Sequence, residues 1–283
     1  MRDGSKNGYV TTDGARIYYQ VVGSGPTLFV AQSGEGDADR TVDLADALAD
    51  RFTVVTYDRR GLSRSIPDEP DAPVSLRRHA DDAAAVLREV AGGPVLMLGL
   101  SLGAAVGLHL LSAYPGIVGK LIAHEPIALR FLDPVEQRVA REKLAGVTAA
   151  HRESGWRAAA AQVAAVLGIN PQEQDTEPDV TSFPFTAQRA ANFEFFLRND
   201  LDAALTDPLS LADVARGAAV IPAVGQTSPR DGFDYLSALA LAEHLDVVPV
   251  RFPGGHNGNL THPRAFGEKV AELLRVTAGD RLR

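Results

Sequence analysis

The 283-residue chain has no cysteine, which excludes disulfides, thiolate metal sites and cysteine nucleophiles at once. Apolar runs long enough to span a bilayer, about 20 residues, are also missing. Met1 to Gly8 is polar and lacks the apolar core of a secretion signal, so a cytoplasmic location is the expectation. Positive charge is the scarcer sign. Lys and Arg number 28 against 36 Asp and Glu, a net charge of -8 that argues against nucleic acid and anionic membranes as partners. Neither clustered metal ligands nor a phosphate-loop pattern occurs, so no cofactor and no metal is expected. Aromatic residues make up 6%, with Trp156 the single tryptophan. The remainder, 45% hydrophobic and 23% charged, is ordinary for a globular protein. The length suits one large α/β domain with an insertion, or two modest domains.

The most informative stretch runs from Val95 to Gly107. An apolar run ends in Gly99-Leu100-Ser101-Leu102-Gly103, and small and apolar residues continue at helical spacing through Leu108 and Leu111. The pattern reads as a buried strand, a very tight turn with Ser101 at its tip, and a helix. A serine hydroxyl is a poor nucleophile unless it is exposed, held beside a base and placed near oxyanion donors. A turn that achieves this has no room for side chains two residues either side, which explains both glycines. By chance, roughly 0.1 such matches are expected in a chain of this size.

Strands and helices alternate around this stretch. Tyr9–Thr12 and Ile17–Val22 flank Asp13-Gly14, a hairpin signal. Thr27–Ala31 reads as a buried strand running into Gln32-Ser33-Gly34-Glu35-Gly36, a loop whose backbone amides can approach a ligand. Helices are expected over Thr41–Leu48 and Ser75–Val90, and strands over Phe52–Thr56 and Val118–Ala123, the latter delivering His124-Glu125-Pro126. From Leu129 to about Val214 the signals are helical, broken by Asn170-Pro171 and the Pro178–Pro184 region. Val220–Val224 resumes the strands, followed by a helix over Tyr235–Leu245, a strand over Val247–Phe252 and a closing helix over Pro263–Leu274. The expected architecture is a mostly parallel, doubly wound sheet with a helical lid after the sixth strand. The core would comprise residues 1–128 and 215–283, and the lid 129–214.

Of the seven histidines, His256 sits on a glycine-rich loop just past a strand end, where α/β sheets build sites. His109, on the helix that Ser101 opens, reads as packing or capping. His79, His151 and His244 fall in helices and read as solvated or half-buried, and His262 as a cap. His124 should point away from Glu125, since strand side chains alternate.

This order, with the turn Tyr57-Asp58-Arg59-Arg60-Gly61-Leu62-Ser63-Arg64-Ser65 and Ser63 where relatives carry glycine, resembles the α/β-hydrolase family over residues 9 to 275. The resemblance implies Ser101 as nucleophile, His256 as base and the Leu102 amide as one half of the oxyanion hole. The other half would come from the Gln32–Gly36 loop, at Gly34 or Glu35. Most relatives have His-Gly where this chain has Ser33-Gly34, a change a backbone donor tolerates.

The acid does not follow the commonest layout. Counting from Gly225 gives Thr227 and Ser228, neither of which carries charge. Two positions stay open: Glu125, where some branches of the family place the acid, and Asp231, slightly late in Pro229-Arg230-Asp231-Gly232. His124-Glu125-Pro126, Val224–Pro229 and Pro253-Gly254-Gly255-His256 are similar to fungal zearalenone lactone hydrolases, which use a Ser-His-Glu triad to open a macrocyclic resorcylic lactone. Those enzymes set a lid tryptophan against substrate, the role that resemblance gives Trp156, although lid core is an equal reading. Ser33 and Glu35 are further candidate substrate contacts.

The expectation is a cofactor-free serine hydrolase acting on a small-molecule carboxylic ester or lactone. Trp156 and six phenylalanines between 131 and 196 suit a largely apolar substrate. C–C bond hydrolysis or perhydrolysis on the same triad, and a ligand-sensing receptor with vestigial hydrolysis, are the rivals that fold cannot separate. The oligomeric state is open, a homodimer included.

Overall fold

The computed structural model describes residues 5–170 and 174–274. Met1 to Gly4 and the Pro171 of the expected helix break lie outside them. The alternating runs around Asp13-Gly14 form the antiparallel hairpin β1 (Lys6–Thr12) and β2 (Ala15–Gly23). The apolar runs become β3 (Thr27–Ala31), β4 (Thr53–Tyr57), β6 (Val95–Leu100), β7 (Val118–His124), β8 (Val220–Gly225) and β9 (Val250–Phe252). A two-residue β5 (Ile66–Pro67) pairs with β2. Strand order is β1-β2-β4-β3-β6-β7-β8-β9, parallel from β4 onward.

Ten helices are described in chain order: α1 (Val42–Leu48), α2 (Leu76–Val90), α3 (Leu102–Ala113), α4 (Pro134–Ser154), α5 (Trp156–Val166), α6 (Ala187–Phe195), α7 (Leu201–Thr206), α8 (Phe233–Leu245), the single turn α9 (Gly258–Thr261) and α10 (Pro263–Leu273). The sheet is apolar on both faces, as a parallel sheet must be. One face packs on α2, α3 and α8 through residues such as Phe29, Met97, Val86 and Leu241. The other packs on α1 and α10 through Leu28, Leu98, Leu44 and Phe266. Among the described residues, no helix is long and apolar enough to cross a membrane.

Three elements differ from expectation. The charged turn after β4 contributes β5, so the helical insertion follows the seventh strand rather than the sixth. β9 begins at Val250 instead of Val247, because Asp246 caps α8 in the left-handed conformation and leaves Val248 86% exposed. Within the region read only as helical, α6 runs on through a π-helical turn, Phe196–Asp200, into α7, an irregularity the helical signal does not specify.

That π-helical turn fastens the insertion to the core. Asp200 is buried with Arg59 and His79: Arg59 Nη2 lies 2.5 Å from Asp200 Oδ2, and His79 Nε2 lies 2.8 Å from Oδ1. Burial would raise the Asp200 carboxyl, but Arg59 and His79 outweigh it and hold it below its ordinary value. His79 is therefore 0% exposed rather than solvated, since a carboxylate 121 residues away reaches it. A second tie joins His109 Nε2 on α3 to Asp207 Oδ1, at 2.8 Å, just past α7.

The turn from β6 to α3 is strained. Ser101 has φ 55° and ψ -112°, a region in which L-residues rarely rest. A Cβ on Gly103 would stand 2.1 Å from the Ala31 carbonyl oxygen, and one on Gly99 2.6 Å from Ala104 Cα. Both glycines are therefore demanded by close backbone approach.

Two stability measurements follow. Ser101→Gly relieves strain of about 1–3 kcal/mol against a glycine entropy cost of about 0.5–1 kcal/mol, whereas Ser101→Ala keeps the strain. Ser101→Gly should therefore melt up to about 5 °C above Ser101→Ala, and a lower melting temperature for Ser101→Gly would contradict a strained turn. Asp200→Ala leaves the Arg59 guanidinium buried without its carboxylate and should cost about 3–5 kcal/mol in urea unfolding; a loss under about 1 kcal/mol would show that the pair does not fasten the insertion.

Candidate active site

The site gathers at the C-terminal ends of β3, β6, β7 and β8, where parallel sheets leave a crevice. Ser101 stands at the tip of the β6–α3 turn, 4% exposed, with its own N–H donating to the His124 carbonyl at 2.8 Å. Leu102 opens α3, and a first-turn N–H has no acceptor inside its helix. The close approach of Gly103 to the carbonyls of Ala31 and Gln32 presses that helix end against the Gln32–Gly36 loop. Gly34 in this loop takes φ 27°. Arg59 holds the loop from behind, donating to the carbonyl of Gln32 at 3.4 Å and to that of Gly34. The guanidinium that pairs with Asp200 thus also shapes the loop facing Ser101.

His256 follows β9 on the Gly254-Gly255 loop and is buried. Its Nδ1–H donates to Glu125 Oε2 at 2.7 Å. Glu125 lies at the end of β7 with φ 45°, and its Oε1 accepts from the Gly225 N–H at 2.8 Å. A second carboxylate, Asp234 Oδ2, stands 2.6 Å from the same Nδ1. Burial alone would strip the proton from His256, but Asp234 and Glu125 reverse that and push its pKa from 6.5 up to about 10. Burial likewise opposes ionisation of Glu125, yet the His256 bond and the neighbouring rings bring it down to about 2. His124 turns to the opposite face, edge-on to Phe252 and Phe266, and burial lowers its pKa to about 4.

Glu125, Asp234 and His256 also offer metal-ligating atoms within 4.8 Å of one another. The 2.7 Å contact to Glu125 is a hydrogen bond, and the 2.6 Å contact to Asp234 is that of a close ion pair. Ligands about 2.1 Å from a tetrahedral metal would stand roughly 3.4 Å apart.

The remaining candidates fall around this centre. Asp231 is exposed and lines a surface groove beside Phe233 and Leu236, so Asp234 and not Asp231 is the acid that α8 brings to His256. Asp234 went unseen in the sequence because it lies nine residues past β8. An acidic residue in the first turn of a helix reads as a dipole partner there, and that placement was the available signal. Glu35 is engaged by Arg189, at 3.1 Å from Nε and 3.0 Å from Nη2, which ties the loop to α6. Ser33 is half-buried and its carbonyl accepts from the Gly36 N–H. Trp156 is half-buried against Phe185 and Phe193, at ring-centroid distances of 5.1 and 6.4 Å. Phe196 lies nearest the loop, 3.9 Å from where a Gly34 Cβ would be. Ser63 takes φ 46°, the conformation that favours glycine at this point. His262 makes no side-chain cap to α10 and instead meets Thr261 Oγ1 at 2.9 Å.

Comparison with known proteins agrees with this architecture. An uncharacterized hydrolase of Bacillus subtilis, YraK, is 32% identical over 273 residues, 95% of this chain and 96% of that protein. A zearalenone hydrolase of Cladophialophora bantiana is 25% identical over 281 residues, covering 94% and 95% of the two chains. The structure of a thermophilic esterase from Thermogutta terrifontis superposes with a TM-score of 0.71 at 19% identity, covering 95% of this chain and 98% of that one. The sequence model of the α/β hydrolase family matches residues 25–269, and the chain belongs to that family.

Proposed function

We propose that the protein is a serine hydrolase that opens a carboxylic ester or lactone through an acyl-enzyme. The observation that carries this reading is a buried His256–Glu125 hydrogen bond at the same sheet edge as a serine held in a strained turn. Ser101 Oγ attacks the carbonyl carbon while its proton passes to His256 Nε2. The negative charge that develops on the carbonyl oxygen is met by the Leu102 N–H and an N–H of the Gly34–Glu35 loop. Glu125 fixes the ring tautomer and stabilises the imidazolium. That imidazolium then protonates the departing alkoxide, which in a lactone stays tethered to the acyl group. Water, activated by the neutral ring, frees Ser101.

The aromatic insertion supports an apolar substrate. Phe193 is buried beside Trp156, and Phe196, buried against Phe193, reaches the Gly34 loop. Residues 129–214 act in this reading as a lid. Likeness to a protein named for zearalenone makes a resorcylic lactone the first substrate to try.

The test is hydrolysis of p-nitrophenyl esters and of zearalenone by wild type, Ser101→Ala and Asp231→Asn. Ser101→Ala should lose about 10⁴-fold or more, while Asp231→Asn keeps the wild-type rate. A Ser101→Ala variant that still turns over would overturn the serine mechanism, and a wild type that binds saturably without turnover would replace the hydrolase reading with a receptor. The pH profile is a separate check. Catalysis needs the neutral His256 ring, so kcat/KM should climb with pH and bend over only toward about 10; a bend near 6.5 would contradict the raised basicity. The same raised pKa contributes stability that is complete below 6.5 and lost as pH rises through about 10.

A further inference from the structure

One imidazole N–H of this protein faces two carboxylates. Glu125 Oε2 and Asp234 Oδ2 approach His256 Nδ1 at 2.7 and 2.6 Å from different elements, one at the end of β7 and one in the first turn of α8. Asp234 is buried, and an unpaired buried carboxylate costs several kcal/mol. Two features offset that cost: the free N–H groups and dipole at the start of α8, and the charge of a protonated His256. Glu125 divides its oxygens between His256 and the Gly225 N–H.

The geometry assigns Asp234 as a second positioning carboxylate, an ion-pair partner 2.6 Å from His256 Nδ1 beside the Glu125 hydrogen bond, so that either acid alone keeps the ring oriented. This rests on the Ser101–His256 reading above. When Ser101 Oγ bonds to carbon, its proton moves to Nε2; the Nδ1 proton stays on the ring, and neither carboxylate is protonated. The neutral ring then faces two buried anions, and the imidazolium leaves one net negative charge. Two anions therefore make His256 a stronger base and carry its working range to alkaline pH. Among the described residues, the other titratable group beside the trio is His124, next to Glu125 on β7, which burial keeps neutral across that range.

Glu125→Gln, Asp234→Asn and the double variant test the assignment through three readouts. These are ester kcat/KM against pH, phosphonylation of Ser101 by an alkyl fluorophosphonate, and NMR titration of the His256 ring, with folding checked by thermal melts. Each single variant should lose about 10–100-fold at the high-pH plateau, and the double variant about 10⁴-fold. Asp234→Asn should also move the acid limb and the His256 titration down by about one pH unit or more, and Asp234→Glu should restore both. A merely structural Asp234 would leave the titration in place. If Glu125→Gln alone matches the double variant while Asp234→Asn shifts neither limb nor titration, the assignment is wrong. If wild type shows no ester turnover and no phosphonylation, the hydrolase reading fails, and the NMR titration still decides whether both carboxylates act on His256.

Discussion

The close crossing of α3 over the ends of β3 and β6 is the constraint on which the site depends. It brings the Gly103 α-carbon against the Ala31 carbonyl so tightly that any side chain there would overlap backbone. That approach forces Ser101 into its positive-φ conformation and places the first amide of α3 beside the Gln32–Gly36 loop. Strain of this kind persists because the surroundings over-determine it. Here the surroundings are a parallel strand on each side of β6 and a helix whose first two turns are wholly buried.

Buried charge carries the same organisation outward. Arg59 is a single side chain with three tasks: it holds the Gln32 and Gly34 carbonyls, neutralises Asp200, and so sets the insertion relative to the loop that faces Ser101. A buried ion pair adds little net stability over a hydrophobic contact of similar volume. It is far more exacting about geometry, because displacing either partner strands a charge. Arg59 and Asp200 therefore make the loop conformation and the seating of the insertion one event.

Most of the frame was legible in the sequence because it depends on local pattern. The buried strand, glycine-flanked serine and following helix are specified within 13 residues, and Ser75 caps α2 as its position implies. What escaped depends on distance. His79 reads as an ordinary helix residue until Asp200 arrives from the insertion. Asp234 reads as a helix-start acid until β7, β8 and the His256 loop converge on it. Glu125 was reachable because it ends a strand that borders Ser101, while the paired role of the two acids was not, since one sits ahead of the insertion and one beyond it. The β9 start failed for a local reason: Val247 and Val248 have strand propensity, but the left-handed Asp246 turns them into solvent.

Ser101 is only 4% exposed; in the lid reading proposed above, a substrate would reach it where the insertion yields most cheaply, and the contacts rank the two sides. On the side of α6 and α7 the attachments are buried: Arg59–Asp200–His79, His109–Asp207, and Asn192 against Ser63 and Asp37. Breaking the charged ones strands ions at about 3–5 kcal/mol each. On the side of residues 174–186 the attachments are mostly more exposed: Thr181 donates to Asp43, and Glu177 accepts from the Arg264 and Ala265 N–H groups in the first turn of α10, pairs with the Arg264 guanidinium at 3.2 Å and donates its own N–H to the Thr261 carbonyl. Exposed bonds of this type exchange with water for about 0.5–1.5 kcal/mol each. In the lid reading proposed above, this energetic asymmetry would make the α6–α7 side the hinge and the 174–186 side the door, with Arg59 holding the Gln32 and Gly34 carbonyls in place as the door moves.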